Sequence, residues 1–268
     1  MPTKRPFALD ERNLIFCYRV AMLESFIVVA ALFAIPVPLA AQSIADIDLT
    51  STYMYGAIGS YRVGLNYTVR NNTEFVTAHY FYVSQLKDIP LAGAVQGEAV
   101  DLKGEDGSIF HLHFVGNESN GAEPLTFYNS VGLTGLWVLG SRTLPVKLTK
   151  GHSTSNPGQR QYENVTSKPD AEYETMVRAA RRAILNSDPD LAARYFHFPI
   201  RVNIDRKHLV LQNTAQLKVN WSLVFSPAFF TKLREDIPHE MFVHDGEAML
   251  GDGELRFDDK GLTAVNAK

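Results

Sequence analysis

The sequence predicts two domains: an all-β antiparallel sandwich or barrel, then an α+β domain in which helices cover a curved antiparallel sheet. Two observations lead to this fold class. Residues 50–149 contain many short runs of alternating apolar and polar residues separated by turn signals. Residues 170–268 begin instead with apolar residues at helical spacing and end in a series of strands. A chain of 268 residues, 46% of them hydrophobic, is long enough to bury two cores.

Residues 1–41 are predicted to be a secretory signal that belongs to neither domain. Basic residues precede an apolar run that starts at Phe26, and small residues near Ala41 suit a cleavage site. The run is shorter than a bilayer-spanning helix and is broken by prolines. An uncleaved membrane anchor is the alternative, and translation from Met22 would shorten the charged leader. The signal predicts a periplasmic or secreted protein with no stable membrane span after cleavage.

Charge and cysteine content exclude several classes of function. The formal net charge is -3 and no block of Lys and Arg follows the leader, so we expect no nucleic-acid partner. The single cysteine, Cys17, lies in the leader, which leaves the exported part without a thiol for disulfides, metal sites or catalysis. The sequence contains no G-x-S-x-G elbow, P-loop or dinucleotide-binding motif. We therefore predict no cofactor.

The first domain, residues 50–149, is predicted from two-residue alternation. Apolar and aromatic residues occupy every second position of Tyr61–Val69, so this strand should bury one face and leave the other polar. Turn residues Asn71 and Asn72 follow, then a strand over Phe75–Val83 and further short runs as far as Leu148. With "AHYFYV" and "IPLAGAV" among its strands, this domain is similar to β-rich modules of poorly characterised secreted bacterial proteins.

Residues 150–169 are predicted to be a linker, because apolar periodicity stops there and Gly, Ser, Asn and Pro accumulate. An amphipathic helix over Asp170–Asp188 follows. Asp188 before Pro189 predicts the start of a second short helix. A strand over His197–Ile204 should come next, followed by a helix that begins at Asn213 or Thr214 and a further turn or helix that begins at Ser226, and strands should close the chain.

The second domain, residues 170–268, resembles a known family in its order of elements and in four segments. These are "FPIRVN", "VFSPAFFTKL", "MFVHDGEAMLGDGELRF" and the ending "GLTAVNAK". Together they resemble the NTF2-like, cystatin-related cone fold of exported bacterial proteins. The resemblance implies a cone-shaped fold with a pocket between sheet and helices, and a sheet face through which such domains can form a homodimer. It transfers no catalytic residue, because this scaffold hosts binding, inhibitory and enzymatic functions.

The acidic, glycine-containing segment Phe242–Phe257 raises the possibility of a metal-binding loop. An EF-hand loop needs oxygen ligands at its first, third and fifth positions and glycine at the sixth. Counting from Asp245 places the apolar Met249 at the fifth position, and counting from Asp252 finds no glycine at the sixth. Strand segments joined by glycine turns fit the segment better.

A second possible metal site is the pair His111 and His113, which share one face of a predicted strand, with His79 on a nearby strand as a third ligand. Apolar residues lie on the same face and no fourth ligand is apparent. We therefore predict no metal site.

The expected pocket of the second domain gives the candidate ligand-binding residues. By position along the chain, the polar or aromatic side chains expected to point into it are His197, Arg201, Asn203, Trp221, Glu254 and Arg256. We predict an exported, non-catalytic binding protein of the bacterial envelope, whose partner is an envelope component, a small molecule or a protein. The alternative is a periplasmic enzyme that uses a buried Glu254 or a histidine for acid–base chemistry on a small molecule. A structural ion pair of Glu254 with Arg201 or Arg256 would oppose that role.

Overall fold

Eight antiparallel strands close into a barrel in the first part of the computed structural model, which describes residues 48–117, 119, 121–205 and 207–267. Each strand is hydrogen-bonded to the next in chain order, and pairing of the first with the last closes the barrel. The strands are β1 (Leu49–Ile58), β2 (Tyr61–Arg70), β3 (Glu74–Tyr82), β4 (Ile89–Gln96), β5 (Ala99–Gly104), β6 (Ile109–Val115), β7 (Gly132–Leu139) and β8 (Arg142–Ser155).

Strand β2 is buried on both faces. Its apolar positions, such as Leu65 and Tyr67, point into the barrel and join its core, as the alternation predicts. Its polar face is also buried, which the alternation does not predict, because the second part of the chain covers it. Asn66 donates a hydrogen bond to Glu240 at 3.0 Å. Gly64 leaves room for the fully buried ring of Phe81, whose Cζ would lie 2.2 Å from an added Cβ.

The barrel interior is filled by side chains, and one end is closed by the loop between β6 and β7. Phe127 from this loop is buried against Tyr67 and Phe114, with ring centroids 4.9 and 5.0 Å away. The Lys150 ammonium holds the loop by donating to the backbone carbonyls of Phe127 at 2.7 Å and Tyr128 at 3.3 Å. The barrel is therefore a packed core.

The segment 150–169, predicted to be a linker, is built into the fold. Strand β8 continues through Ser155, because its residues pair with β1 as far as Thr50. Tyr162 is fully buried, and Arg160 donates to the carboxylate of Asp170 at 2.9 Å and to two backbone carbonyls. All described residues belong to one compact unit, so a free linker is the wrong description of this segment.

The second part consists of four helices and a six-stranded sheet. The helices are α1 (Asp170–Leu185), α2 (Pro189–Ala193), α3 (Thr214–Val224) and α4 (Pro227–Glu235). The strands are β9 (Phe196–Ile204), β10 (Lys207–Leu211), β11 (Phe242–His244), β12 (Glu247–Leu250), β13 (Leu255–Phe257) and β14 (Leu262–Ala267), in the spatial order β10-β9-β14-β13-β12-β11. Strand β10 was not predicted from the sequence.

The sheet is mixed, which corrects the prediction of an antiparallel sheet. Strands β9 and β14 pair in parallel, whereas the other neighbours are antiparallel. The whole connection through α3, α4 and the β11–β13 meander separates β9 from β14, and a crossover of that length allows a parallel pair. The coarse prediction of a β-rich, two-part fold is confirmed.

Local signals for helix starts and turns are confirmed. The side chains of Asp188, Asn213 and Ser226 each accept a hydrogen bond from the backbone N–H three residues further on. Asp245 and the glycines of the following turns have positive φ angles, as the turn interpretation of this acidic segment requires. No helix in the described ranges is both long enough and apolar enough to cross a membrane.

Candidate functional site

Four of the predicted pocket residues lie on the face of the sheet that points away from the helices. On β9, Ile200 and Val202 are buried in the core between sheet and helices, so Arg201 and Asn203 point to the opposite face. Arg256 joins this outer face, where Glu247 accepts from it at 2.7 Å and from Arg201 at 3.3 Å. The prediction that these side chains enter an internal pocket is wrong.

The remaining outer-face contacts also join neighbouring strands. The Asn203 amide donates to Asn266 at 2.6 Å, and the His197 ring is hydrogen-bonded to Asp258 at 2.5 Å. His197 and Arg201 line a shallow recess of about 330 Å³. Each of these four polar side chains therefore already has a hydrogen-bond or ion-pair partner in or beside the sheet.

The space between helices and sheet is packed. Phe225 and Phe229 are buried there, and Trp221 stacks at a tilt on Phe225 with ring centroids 4.5 Å apart. Trp221 therefore belongs to the edge of the hydrophobic core and not to an open pocket. Aromatic side chains fill the space between helices and sheet where the ligand pocket was predicted.

Glu254 follows a turn that lines a larger cavity, although Glu254 is not itself one of the lining residues. It is buried, with its Oε1 atom 3.7 Å from the Lys232 ammonium, and its Oε2 atom has no hydrogen-bond partner among the described residues. Neither Arg201 nor Arg256 pairs with it. The turn residues before it, Gly251–Gly253, form one wall of the larger space described next.

The junction cavity is a space of about 560 Å³ where the barrel meets the turn between β12 and β13. Its lining residues are Tyr55, Arg62, Gly151, His152, Glu235, Asp236, Ile237, Met241, Phe242, Met249, Gly251, Asp252 and Gly253. Aromatic and thioether side chains supply most of the apolar lining. The one guanidinium, Arg62, is paired with Glu235 at 2.7 Å. The polar lining is therefore acidic rather than basic.

His152 is held between aromatic rings in the wall of the junction cavity. Its ring stacks on Tyr53 at 4.2 Å and lies 4.8 Å from Phe242. Burial lowers the pKa of His152 to about 4, so the imidazole is neutral at neutral pH. Its Nε2 atom is buried without a hydrogen-bond partner in the described part of the chain.

Asp236 brings a carboxyl group with an unusual pKa to the same cavity. Burial, reinforced by the negative charges of Glu254 and Asp252, raises the pKa of Asp236 to about 7. Its Oδ2 atom has no hydrogen-bond partner within the described ranges. Asp236 can therefore keep its proton close to neutral pH, and a protonated carboxyl group can donate as well as accept.

A second group of ionisable side chains lies between the barrel and the second part. This seam cluster consists of His79, Asp88, Glu174, His239 and Glu240. The ring of His239 bridges two carboxylates, with Nδ1 2.7 Å from Glu174 and Nε2 2.9 Å from Asp88. The Nε2 atom of His79 lies 2.5 Å from Glu240 and 3.7 Å from Asp88.

Glu174 anchors the seam cluster in the core of the second part. Its carboxylate accepts from the Tyr162 hydroxyl at 2.9 Å, from the Glu240 backbone N–H at 3.0 Å and from Arg178 at 3.2 Å. The Tyr162 hydroxyl in turn accepts from the Met241 backbone N–H at 2.9 Å. These bonds hold the segment that carries His239 and Glu240, where Glu240 adopts a positive φ of 51°.

Charge pairing in the seam cluster favours charged histidines. Burial disfavours the imidazolium of His239, but hydrogen bonds to Asp88 and Glu174 outweigh burial and raise its pKa to about 10. The pKa of His79 is also raised, because Glu240 outweighs the effect of burial. Burial alone would raise the pKa of Asp88, yet the bond to His239 lowers it.

A seam cavity of about 690 Å³ opens onto this cluster. His79 and Glu240 line it, together with Asn66 and Tyr53 from the outer face of the barrel. Oε2 of Glu240 is buried and has no hydrogen-bond partner within the residues that the structure describes.

Sequence reasoning missed the seam cluster and assigned His79 to a different group. His111 and His113 lie on the outer, exposed face of β6, and His111 pairs with Asp101 at 2.7 Å. Strands β4 and β5 separate β6 from the strand of His79. His79 instead meets Glu240, 161 positions away in sequence, and no local pattern marks such a pair.

Comparison of the chain with protein-family models, with curated proteins and with solved structures finds no match. The geometry of the two cavities therefore carries the functional argument alone.

Proposed function

We propose that this chain is an exported, non-catalytic binding protein of the bacterial envelope and that it binds a small ring compound in the junction cavity. The observation that carries the proposal is the lining of that cavity, in which the rings of His152 and Phe242 lie 4.8 Å apart near the thioether groups of Met241 and Met249. A mostly apolar cavity with a few polar groups is the usual form of a small-molecule site. Export and the envelope location rest on the predicted signal, residues 1–41, which lies outside the described residues.

The charges around the cavity define the class of ligand. Glu235, Asp236 and Asp252 line it, and Arg62 is already paired with Glu235. An anion would meet more acidic than free basic groups, whereas an uncharged or cationic ring meets aromatic faces that favour both. We therefore assign the cavity to uncharged or cationic ring compounds.

A matched series of ligands tests this assignment. Ligand-observed NMR would compare indole, tryptamine and indole-3-acetate, which share a ring and differ in charge. We expect saturable binding of the first two and weaker binding of the anion. Met249→Trp, which fills the cavity, should abolish binding, while Leu136→Trp on the exposed outer face of the barrel should not. Equal binding by Met249→Trp, or no saturable binding of any ring, would contradict the proposal.

A second candidate function is acid–base catalysis in the same cavity. The observation that favours it is the pair of carboxyl groups Asp236 and Glu254, each with a buried oxygen that has no partner in the described part of the chain. Two neighbouring carboxyl groups in an enclosed site are a common device for proton transfer. Mass spectrometry of small esters, amides and epoxides incubated with the protein distinguishes the two functions. Product that forms with the wild type and disappears in both Glu254→Gln and Asp236→Asn would establish the enzyme.

For the second part we propose the NTF2-like fold. Support comes from the pair of helices α1 and α2 that precedes the sheet, and from packing of the helices on one face of the six strands. The segment Phe198–Asn203, which carries part of the resemblance, forms strand β9. A homodimer through the outer sheet face stays a prediction, as does the lack of a nucleic-acid partner.

A further inference from the structure

We propose that His79, Asp88 and Glu240 form a binding site for one divalent transition-metal ion, with Zn²⁺ as the ion that this ligand set favours. This site lies in the seam cluster, apart from the junction cavity, and stands independently of the proposed ring-compound binding. One ligand atom from each residue, His79 Nε2 and a carboxylate oxygen of Asp88 and Glu240, lies within 4.8 Å of the other two.

The spacing of these atoms is close to that of a metal site. In tetrahedral zinc sites with bonds of about 2.0 Å, ligand atoms lie about 3.3 Å from one another. His79 Nε2 is 2.5 Å from Glu240 Oε1 and 3.7 Å from Asp88 Oδ1, so these two distances bracket that value. To admit an ion, the side chains would rotate and His79 would release the Nε2 proton that its pairing with Glu240 favours, because a metal-bound imidazole nitrogen carries no proton.

Glu240 provides the second, independent indication of a ligand. Its side chain is 10% exposed, it lines the seam cavity, and Oε2 is buried without a hydrogen-bond partner among the described residues. A buried carboxylate oxygen without a partner is energetically unfavourable. A metal ion bound through both oxygens of this carboxylate would satisfy Oε2 as well as Oε1.

The surrounding contacts hold the ligands in place. His239 bonds to Asp88 at 2.9 Å, and Asn66 donates to Glu240 at 3.0 Å. Such outer contacts orient the ligands of metal sites and tune their affinity. The positive φ of Glu240 is a strained conformation for a residue other than glycine, and strain of this kind concentrates at functional sites.

The ligand types select the ion. One imidazole and two carboxylates without thiolate suit Zn²⁺ better than Ca²⁺ or Mg²⁺, which prefer oxygen ligands alone. Three protein ligands leave a fourth position for water or a ligand from the seam cavity, the arrangement of zinc sites that act on a bound molecule.

The test is metal titration of the full chain after chelator treatment. We expect one equivalent of Zn²⁺ by isothermal titration calorimetry, and Co²⁺ as a spectroscopic probe should give the visible absorption of a tetrahedral site. Glu240→Gln, His79→Gln and Asp88→Asn should each weaken Zn²⁺ binding by more than about tenfold.

Two controls keep the proposal falsifiable. The double variant His111→Ala with His113→Ala removes the exposed histidine pair and should bind Zn²⁺ as the wild type does. Asp88 has a side chain that is 47% exposed, so Asp88→Asn should fold even if the two more buried variants do not. Absence of stoichiometric Zn²⁺ uptake by the wild type, or unchanged uptake by Asp88→Asn, would overturn the site, and so would loss of uptake in the double variant.

Discussion

Replacement of Asp236 by Asn should make the stability of the protein less sensitive to pH. Burial raises the pKa of this carboxyl from an ordinary value of 3.8 to about 7. Between these two values the folded chain keeps a proton that the unfolded chain has released. The free energy of unfolding therefore falls as pH rises from about 4 to about 7 and levels off above that interval.

The size of the effect follows from this pKa shift. Between about pH 5 and about pH 8, a shift of this size would remove about 3 kcal/mol from the free energy of unfolding. Asp236 is only partly buried, so solvent screening reduces the expected loss to about 1 kcal/mol. The Asn variant should lack this loss, because an amide does not titrate in the range.

Urea unfolding followed by tryptophan fluorescence at about pH 5 and about pH 8 measures the difference, since the chain contains Trp137 and Trp221. The matched control is Asp252→Asn, a change of the same kind at an exposed position in the same cavity wall. It should keep most of the pH dependence. If Asp236→Asn and the wild type lose the same free energy between the two pH values, the carboxyl does not titrate near neutrality. The acid–base function would then lose its support.

Three further changes test buried contacts near the seam cluster and in the wall of the junction cavity. Gly64→Ala would place a Cβ 2.2 Å from the Phe81 ring and should cost about 1–3 kcal/mol in urea unfolding; an unchanged midpoint would refute this close contact. Tyr162→Phe removes a hydroxyl that donates to Glu174 and accepts a backbone N–H, and should cost about 1–3 kcal/mol; a neutral result would mean that water replaces it. His152 has a pKa lowered to about 4, so the wild type should lose stability as pH falls from about 6.5 to about 4. His152→Phe should remove that loss in thermal melts, and an identical acid profile would count against a buried neutral imidazole.

Elements set by contacts within a few residues could be predicted from the sequence. Asp188, Asn213 and Ser226 cap helices because each side chain reaches an N–H only three positions away. The same locality explains the correct interpretation of the turn at Asp245 and Gly246, where positive φ angles suit short polar residues and glycine.

The sequence also indicates which side chains of strand β9 face the core. The predicted pocket residues on this strand were wrong because the alternation of faces along a strand was not applied to them. Ile200 and Val202 alternate with Arg201 and Asn203, so the apolar pair must face the core and the polar pair must face away. Placing polar side chains inside the pocket contradicted this alternation. The apolar face of β9 instead joins the packed core of the second part.

Contacts between the barrel and the second part could not be predicted, because they depend on how two distant segments meet. The polar face of β2 looks solvent-exposed in sequence, yet Asn66 reaches Glu240 across 174 positions. The seam cluster likewise joins His79 and Asp88 to Glu174, His239 and Glu240. Neither the periodicity of apolar residues nor the spacing of the histidines and carboxylates indicates that these side chains are in contact.

The position of both candidate sites follows from where the fold leaves space. Side chains fill the barrel, whose end Phe127 closes, and aromatic residues fill the gap between helices and sheet. The junction cavity and the seam cavity lie where barrel residues such as Tyr55 and His79 face residues of the second part such as Phe242 and Glu240. Neither cavity has complete walls without both parts. A ligand or ion bound at either place would thus stabilise the contact between them, and binding should raise the midpoint of a single unfolding transition.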